Sequence, residues 1–138
     1  SGFTLEKGHP NEAAGSKRPM HTIIPAMLKK DGKVVMSFGV MGGQYQSTGH
    51  SRMVSNIIDF GMTPQESIDT PRAFADAGTL KLEGGYSQKT RDGLAALGHN
   101  ITILDKPLGG AQAIWIDEEN GVLRGASDPR KDGCAIGY

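Results

Sequence analysis

Residues 34–61 read VVMSFGVMGGQYQSTGHSRMVSNIIDFG, and the order of residue types along them decides the fold. Val34, Val35, Met36 and Phe38 form an apolar, β-favouring run that predicts a buried strand over 34–38. Gly42 and Gly43 predict a turn. Beyond it Val54, Ile57 and Ile58 fall at i, i+3 and i+4, with Met53 at their edge, which predicts an amphipathic helix over 50–60 closed by Gly61. A glycine pair between a strand and a helix leaves backbone N–H groups unobstructed near the positive end of the helix dipole, a place to hold an anion. A phosphate, a carboxylate and the oxyanion of an acyl-transfer intermediate all fit that chemistry, and a plain tight turn explains the glycines with no ligand at all.

Working outward, residues 1–19 are rich in turn formers and show neither a strand nor a helix period, so they read as an extended or loop segment. Residues 21–28 predict a strand, with an edge or bulge at Pro25 because proline has no N–H to give a ladder. Asp31-Gly32 turns that strand into the one that reaches Gly42. Downstream, Thr63-Pro64-Gln65-Glu66 joins an N-cap, a first-turn proline and a capping-box acid, and Thr70-Pro71 ends the short helix they start. Short strands follow over 72–75 and 79–83. Ser87 caps a helix over 88–97 with Leu94 and Leu97 facing inward, and 100–104 is a strand. Residues 111–116 and 122–126 form a last hairpin around Asn120-Gly121. No GxGxxG or P-loop pattern occurs, and antiparallel sheet with helices against it is the expected α+β architecture.

Composition excludes several classes of function. The 138 residues suit one domain, and 15 basic against 15 acidic residues leave no net charge, which disfavours nucleic acid as a partner. No apolar run is long enough for a membrane helix and no signal-like segment opens the chain, which reads as soluble, cytoplasmic or periplasmic. The single Cys134 has no internal disulfide partner and reads as inert packing or a surface thiol. His9, His21, His50 and His99 have no short spacing of the kind metal sites use, so no metal is expected.

Lys17-Arg18-Pro19, Asp31-Gly32-Lys33, Met41-Gly42-Gly43, the IDFGM run over 58–62, Thr70-Pro71-Arg72 and the GASDPR run over 125–130, up to Gly137-Tyr138, resemble in order and spacing the γ-glutamyltransferases, or γ-glutamyltranspeptidases. Those are N-terminal-nucleophile hydrolases, and the resemblance covers nearly the whole chain. It implies the C-terminal part of a four-layer αββα sandwich, and 1–138 as a single piece from the later part of the small subunit of a self-cleaving proenzyme. The small subunit of that family begins with a threonine that attacks the γ-glutamyl carbonyl, its own α-amino group serving as base. The nucleophile is expected upstream of this chain, so the chain alone is expected to be inactive and to need no cofactor. Ser1 has the amine and hydroxyl of an alternative nucleophile, but its loop-like surroundings are unsuited to a catalytic strand.

By the same resemblance, Gly42 and Gly43 carry the oxyanion-hole N–H groups. His21 and Thr22 occupy the two positions where the family places serines that hold the glutamyl α-carboxylate. Thr22 keeps a hydroxyl, whereas His21 is a departure that opens the site to other amides, as in the cephalosporin acylases. Asp128 and Arg130 read as a structural pair near the C-terminal tail, and Trp115 as core or subunit interface. Expected partners are a γ-glutamyl or other small amide substrate and the remainder of the proenzyme, with self-association of the isolated piece. A non-catalytic binding module on the same scaffold is the alternative.

Overall fold

A computed structural model describes residues 3–18 and 21–138; Ser1 and the Pro19 of the Lys17-Arg18-Pro19 segment lie outside the described residues. Along the chain run β1 (Ala26–Lys30), β2 (Lys33–Met41), a 3-10 turn (Gly43–Tyr45), α1 (Gln46–Ile58), α2 (Pro64–Asp69), β3 (Ala73–Asp76) and β4 (Thr79–Leu82). After these come α3 (Gln88–Ala96), β5 (Ile101–Ile103), β6 (Gly110–Asp117), β7 (Val122–Ser127) and a second 3-10 turn (Pro129–Lys131).

Alternation in β2 builds the main sheet. Met36, Phe38 and Val40 point to one side and are buried, and the antiparallel register sets Phe38 beside Ala26 and Ala113, and Val40 beside Ala111. The strand order is β1-β2-β6-β7. The alanines leave room above the sheet for Met53 and Ile57 of α1 and Ile68 of α2, which complete the core. Asp31 and Gly32, at φ 50° and 80°, make the tight left-handed link between β1 and β2 that the sequence predicts.

The smaller sheet has the order β3-β4-β5, and β4 and β5 run parallel. The helix α3 makes the crossover such a pair requires, so the expectation of purely antiparallel sheet holds for the main sheet only.

Other boundaries also differ from expectation. Strand β1 begins at Ala26, leaving 21–25 irregular, because Pro25 interrupts the ladder just upstream. Helix α1 begins at Gln46 rather than 50, fed directly by the 3-10 turn, and its buried face is Gly49, Met53, Asn56 and Ile57. Ile58 is rotated away and 57% exposed. Gly61, at φ 69°, ends the turn after α1, with Met62 N–H donating to Asn56 C=O at 3.0 Å. Helix α3 buries nothing fully: Leu94 is half-buried and Leu97 exposed.

The main sheet has a second face. Its register aligns Met27, Ser37, Ile114 and Gly125 in one row on that face, with Ile116 and Leu123 paired in the next. Met27, Met41, Ile114 and Leu123 are all exposed there. The chain after β7 passes over part of this face, bringing Ala135 against Gly125 and Gly133 against Ser127.

Candidate functional site

Strand β2 delivers the chain to Gly42 with φ 137° and ψ 28°, and Gly43 follows at φ 58°. Both conformations are left-handed and favour glycine, which is why the pair sits here. The carbonyls turn into the helix start: Gly42 C=O accepts from Tyr45 N–H at 3.1 Å, and Gly43 C=O accepts from Gln46 N–H. Among the described residues no backbone carbonyl outside the regular elements accepts from the N–H of Gly42 or Gly43. Among the described residues these two amides thus have no turn or loop carbonyl as a partner, just ahead of a 13-residue helix.

Thr22 comes to the same place. The Gln46 side chain donates through Nε2 to Thr22 C=O at 2.8 Å, pinning the irregular 21–25 segment to the first residue of α1. Thr22, Gly42, Gly43 and Gln46 line one cavity of about 590 Å³, whose remaining wall is Ile23, Ile24, Pro25, Gly39, Val40, Met41, Gly110 and Gln112. Among the described residues no ionisable side chain lines it. His21 is exposed and lies outside that lining, so of the four residues singled out in the sequence three are brought together and His21 is not among them.

A buried ionic network braces the turn from behind. Gly109 packs so closely on the end of β2 that a Cβ there would overlap the Met41 carbonyl oxygen, and a Cβ on Gly42 would lie 3.0 Å from Gly109 Cα. The residues flanking Gly109 and Gly110 are clamped: Leu108 N–H donates to Glu83 Oε1 at 2.7 Å, Leu108 C=O accepts from Arg72, and Ala111 N–H donates to Asp128 Oδ2 at 2.8 Å. Asp128 is fully buried and pairs with Arg72, while Arg130 pairs with Glu83 at 2.8 Å and reaches Asp128 at only 3.4 Å. The expected Asp128–Arg130 pair is therefore the weak edge of a four-residue network. Burial by itself would raise the Asp128 carboxyl, but the hydrogen bond from Arg72 and the backbone N–H groups of Arg130 and Ala111 outweigh it and hold Asp128 below the usual carboxylate range. Burial works against the Arg130 charge, and Glu83 and Asp128 overcome that and hold it above its usual value.

The family model described as gamma-glutamyltranspeptidase matches residues 1–138. The chain belongs to the γ-glutamyltranspeptidase family. Over 98% of its length it is 36% identical to the glutathione hydrolase-like YwrD proenzyme of Bacillus subtilis, covering 27% of that protein. It is 35% identical to the oxamate amidohydrolase proenzyme of Klebsiella pneumoniae, over 99% of this chain and 27% of that protein. Among solved structures, the cephalosporin acylase from Bacillus halodurans matches 99% of this chain with 26% of its own, at TM-score 0.82 and 37% identity. An acivicin-inhibited γ-glutamyltranspeptidase matches 95% of this chain with 77% of its own, at TM-score 0.80 and 27% identity. This γ-glutamyltranspeptidase-family chain spans about a quarter of the length of the curated relatives it matches. Its α+β fold is that of the matching part of the solved γ-glutamyltranspeptidase, as the resemblance in the sequence implies.

Proposed function

We propose that this chain is the oxyanion-binding part of a γ-glutamyltransferase-like enzyme that cleaves γ-glutamyl, glutathione-type amides through a threonine acyl-enzyme. The observation that carries the reading is the pair of amides at Gly42 and Gly43 without a turn or loop carbonyl partner, opening on the cavity that Thr22 also lines. In this mechanism a threonine from the rest of the proenzyme attacks the amide carbonyl, and its own α-amino group takes the hydroxyl proton. The carbonyl oxygen becomes an oxyanion held by the Gly42 and Gly43 N–H groups, each such donor commonly stabilising the transition state by about 2.7–4 kcal/mol. Collapse expels the amine, which leaves with the proton from the ammonium, and water or an acceptor amine then releases the acyl group. In this reading Thr22, from the cavity wall, and His21, its neighbour in the chain, are the residues that would bind the acyl group. The rest of the proenzyme is the partner that covers the exposed face of the main sheet.

A second reading, amide cleavage of the cephalosporin-acylase kind, is favoured by the cavity wall, whose described residues offer no charged group to an amino-acid head. Comparing a γ-glutamyl anilide with a glutaryl anilide, which lacks only the α-amino group, separates the two. For the shared mechanism the test is Gly43→Pro in the processed full-length enzyme: it removes a donor and imposes a negative φ on a residue at 58°, so kcat falls by about a hundredfold or more. The 138-residue chain alone is expected to show no turnover. Full activity in a folded, processed Gly43→Pro enzyme removes the oxyanion role, and turnover by the isolated chain that is lost on changing Ser1 moves the nucleophile to Ser1.

A further inference from the structure

We propose that Tyr45 is a positioning residue for the oxyanion turn, its ring seated in a niche of three glycines and holding the Gly42 peptide in the conformation that faces both amides outward. The proposal rests on the oxyanion reading of Gly42 and Gly43. Three stretches of backbone meet the one ring. A Cβ on Gly42, at the end of β2, would lie 3.3 Å from Tyr45 Cδ1; one on Gly109, before β6, would lie 3.1 Å from the same atom; and one on Gly49, within α1, would lie 2.8 Å from Cε1. The ring thus lies against all three glycines, beside a still nearer atom in each case: Gly109 Cα, the Met41 carbonyl oxygen and Val40 Cγ1 in turn. The ring is 2% exposed and meets Phe74 of the smaller sheet edge-on, with centroids 5.7 Å apart at 83°. Tyr45 also donates its own N–H to Gly42 C=O, so backbone and side chain bind the turn from the same residue.

The ring acts by shape. Burial pushes the Tyr45 phenol up, against the pull of Arg72 and Arg52, so it stays neutral through the working pH range and supplies no proton. Without the ring, Gly42 keeps Gly109 Cα as its close neighbour but loses the packing on the Tyr45 side, and, being glycine, meets a lower steric barrier to rotating its peptide. The amides would then spend part of their time pointing away from the developing oxyanion, which affects the transition state more than ground-state binding.

The experiment measures kcat and KM of the processed full-length enzyme on a γ-glutamyl anilide or, if it prefers that substrate, a glutaryl anilide. Four variants are compared, Tyr45→Phe, Tyr45→Leu, Gly49→Ala and Gly43→Pro, with processing checked on a gel and folding by thermal melting. Tyr45→Phe is expected to keep kcat within about twofold, whereas Tyr45→Leu lowers it by about tenfold to a hundredfold with KM changed far less. Gly49→Ala, which leaves Tyr45 in place while its methyl presses on both Val40 Cγ1 and the Tyr45 ring from the helix side, lowers kcat in the same way and serves if Tyr45→Leu fails to fold. Unchanged kcat in folded Tyr45→Leu or in Gly49→Ala overturns the proposal, as does a loss in Tyr45→Phe equal to that in Tyr45→Leu. If Gly43→Pro is harmless the oxyanion reading itself falls; if Gly43→Pro is damaging while Tyr45→Leu is not, only the positioning role falls.

Discussion

Asp128 has no exposed surface and four donors around it: the Arg72 guanidinium, the amides of Ala111 and Arg130 and, more distantly, the Arg130 guanidinium. Replacing it by Asn leaves Arg72 buried without its counter-charge, so Asp128→Asn is expected to cost about 3–5 kcal/mol, read by denaturant unfolding of the processed enzyme. The same carboxylate sets a pH dependence. Its folded pKa is depressed, so its contribution is complete above the unfolded value of about 3.9 and is lost as pH falls through the folded value. Stability should therefore decline on acidification below about pH 4, and Asp128→Asn should flatten that decline. At this scale the turn at Gly42 and Gly43 is legible in the sequence, because a glycine pair between a strand pattern and a helix pattern marks a turn. Arg72 with Asp128 and Glu83 with Arg130 are not, since 56 and 47 residues separate the partners and no local pattern links them.

Local chemistry also explains which elements could be foreseen. The Thr63 side chain accepts from Glu66 N–H and the Glu66 side chain accepts from Thr63 N–H, a capping box contained within four residues and readable as such. Thr63→Ala is expected to destabilise the folded protein by about 1 kcal/mol, seen as a lowered denaturation midpoint at unchanged slope. The Ser87 cap and the hairpin turns at Asp31-Gly32 and Asn120-Gly121 are equally local. The start of α1 is less so: Gln46, Ser47 and Thr48 carry no helix period, and it is the 3-10 turn after Gly42 that begins the coil of the chain there. The parallel pairing of β4 and β5 was also hidden, because alternation fixes which face a side chain takes and says nothing of strand direction.

For the whole molecule, the main sheet has one face packed by α1 and α2 and another presenting Met27, Met41, Ile114 and Leu123. In isolation the 138-residue chain is expected to self-associate through that face, giving light-scattering masses above the 14.6 kDa of one chain, and Ile114→Lys with Leu123→Lys should reduce them. A concentration-independent mass of one chain in the unsubstituted protein sinks the expectation. The layered α+β class was legible because strand and helix periods were each clear in their own segments. What lies across the open face was not, because a half-exposed alternating strand reads the same whether water or another sheet covers it.

The glycine niche around Tyr45 also constrains how this sequence can change. While position 45 holds an aromatic ring, a methyl group at position 49 collides with it and with Val40 Cγ1, so the helix cannot exchange Gly49 for a better helix former. A smaller ring relieves only the longer of these contacts, at 2.8 Å, and Val40 Cγ1 still stands 2.6 Å from the methyl position. Gly49 is thus fixed by two neighbours at once, and an alanine there requires both the ring at position 45 and the side chain at position 40 to give way.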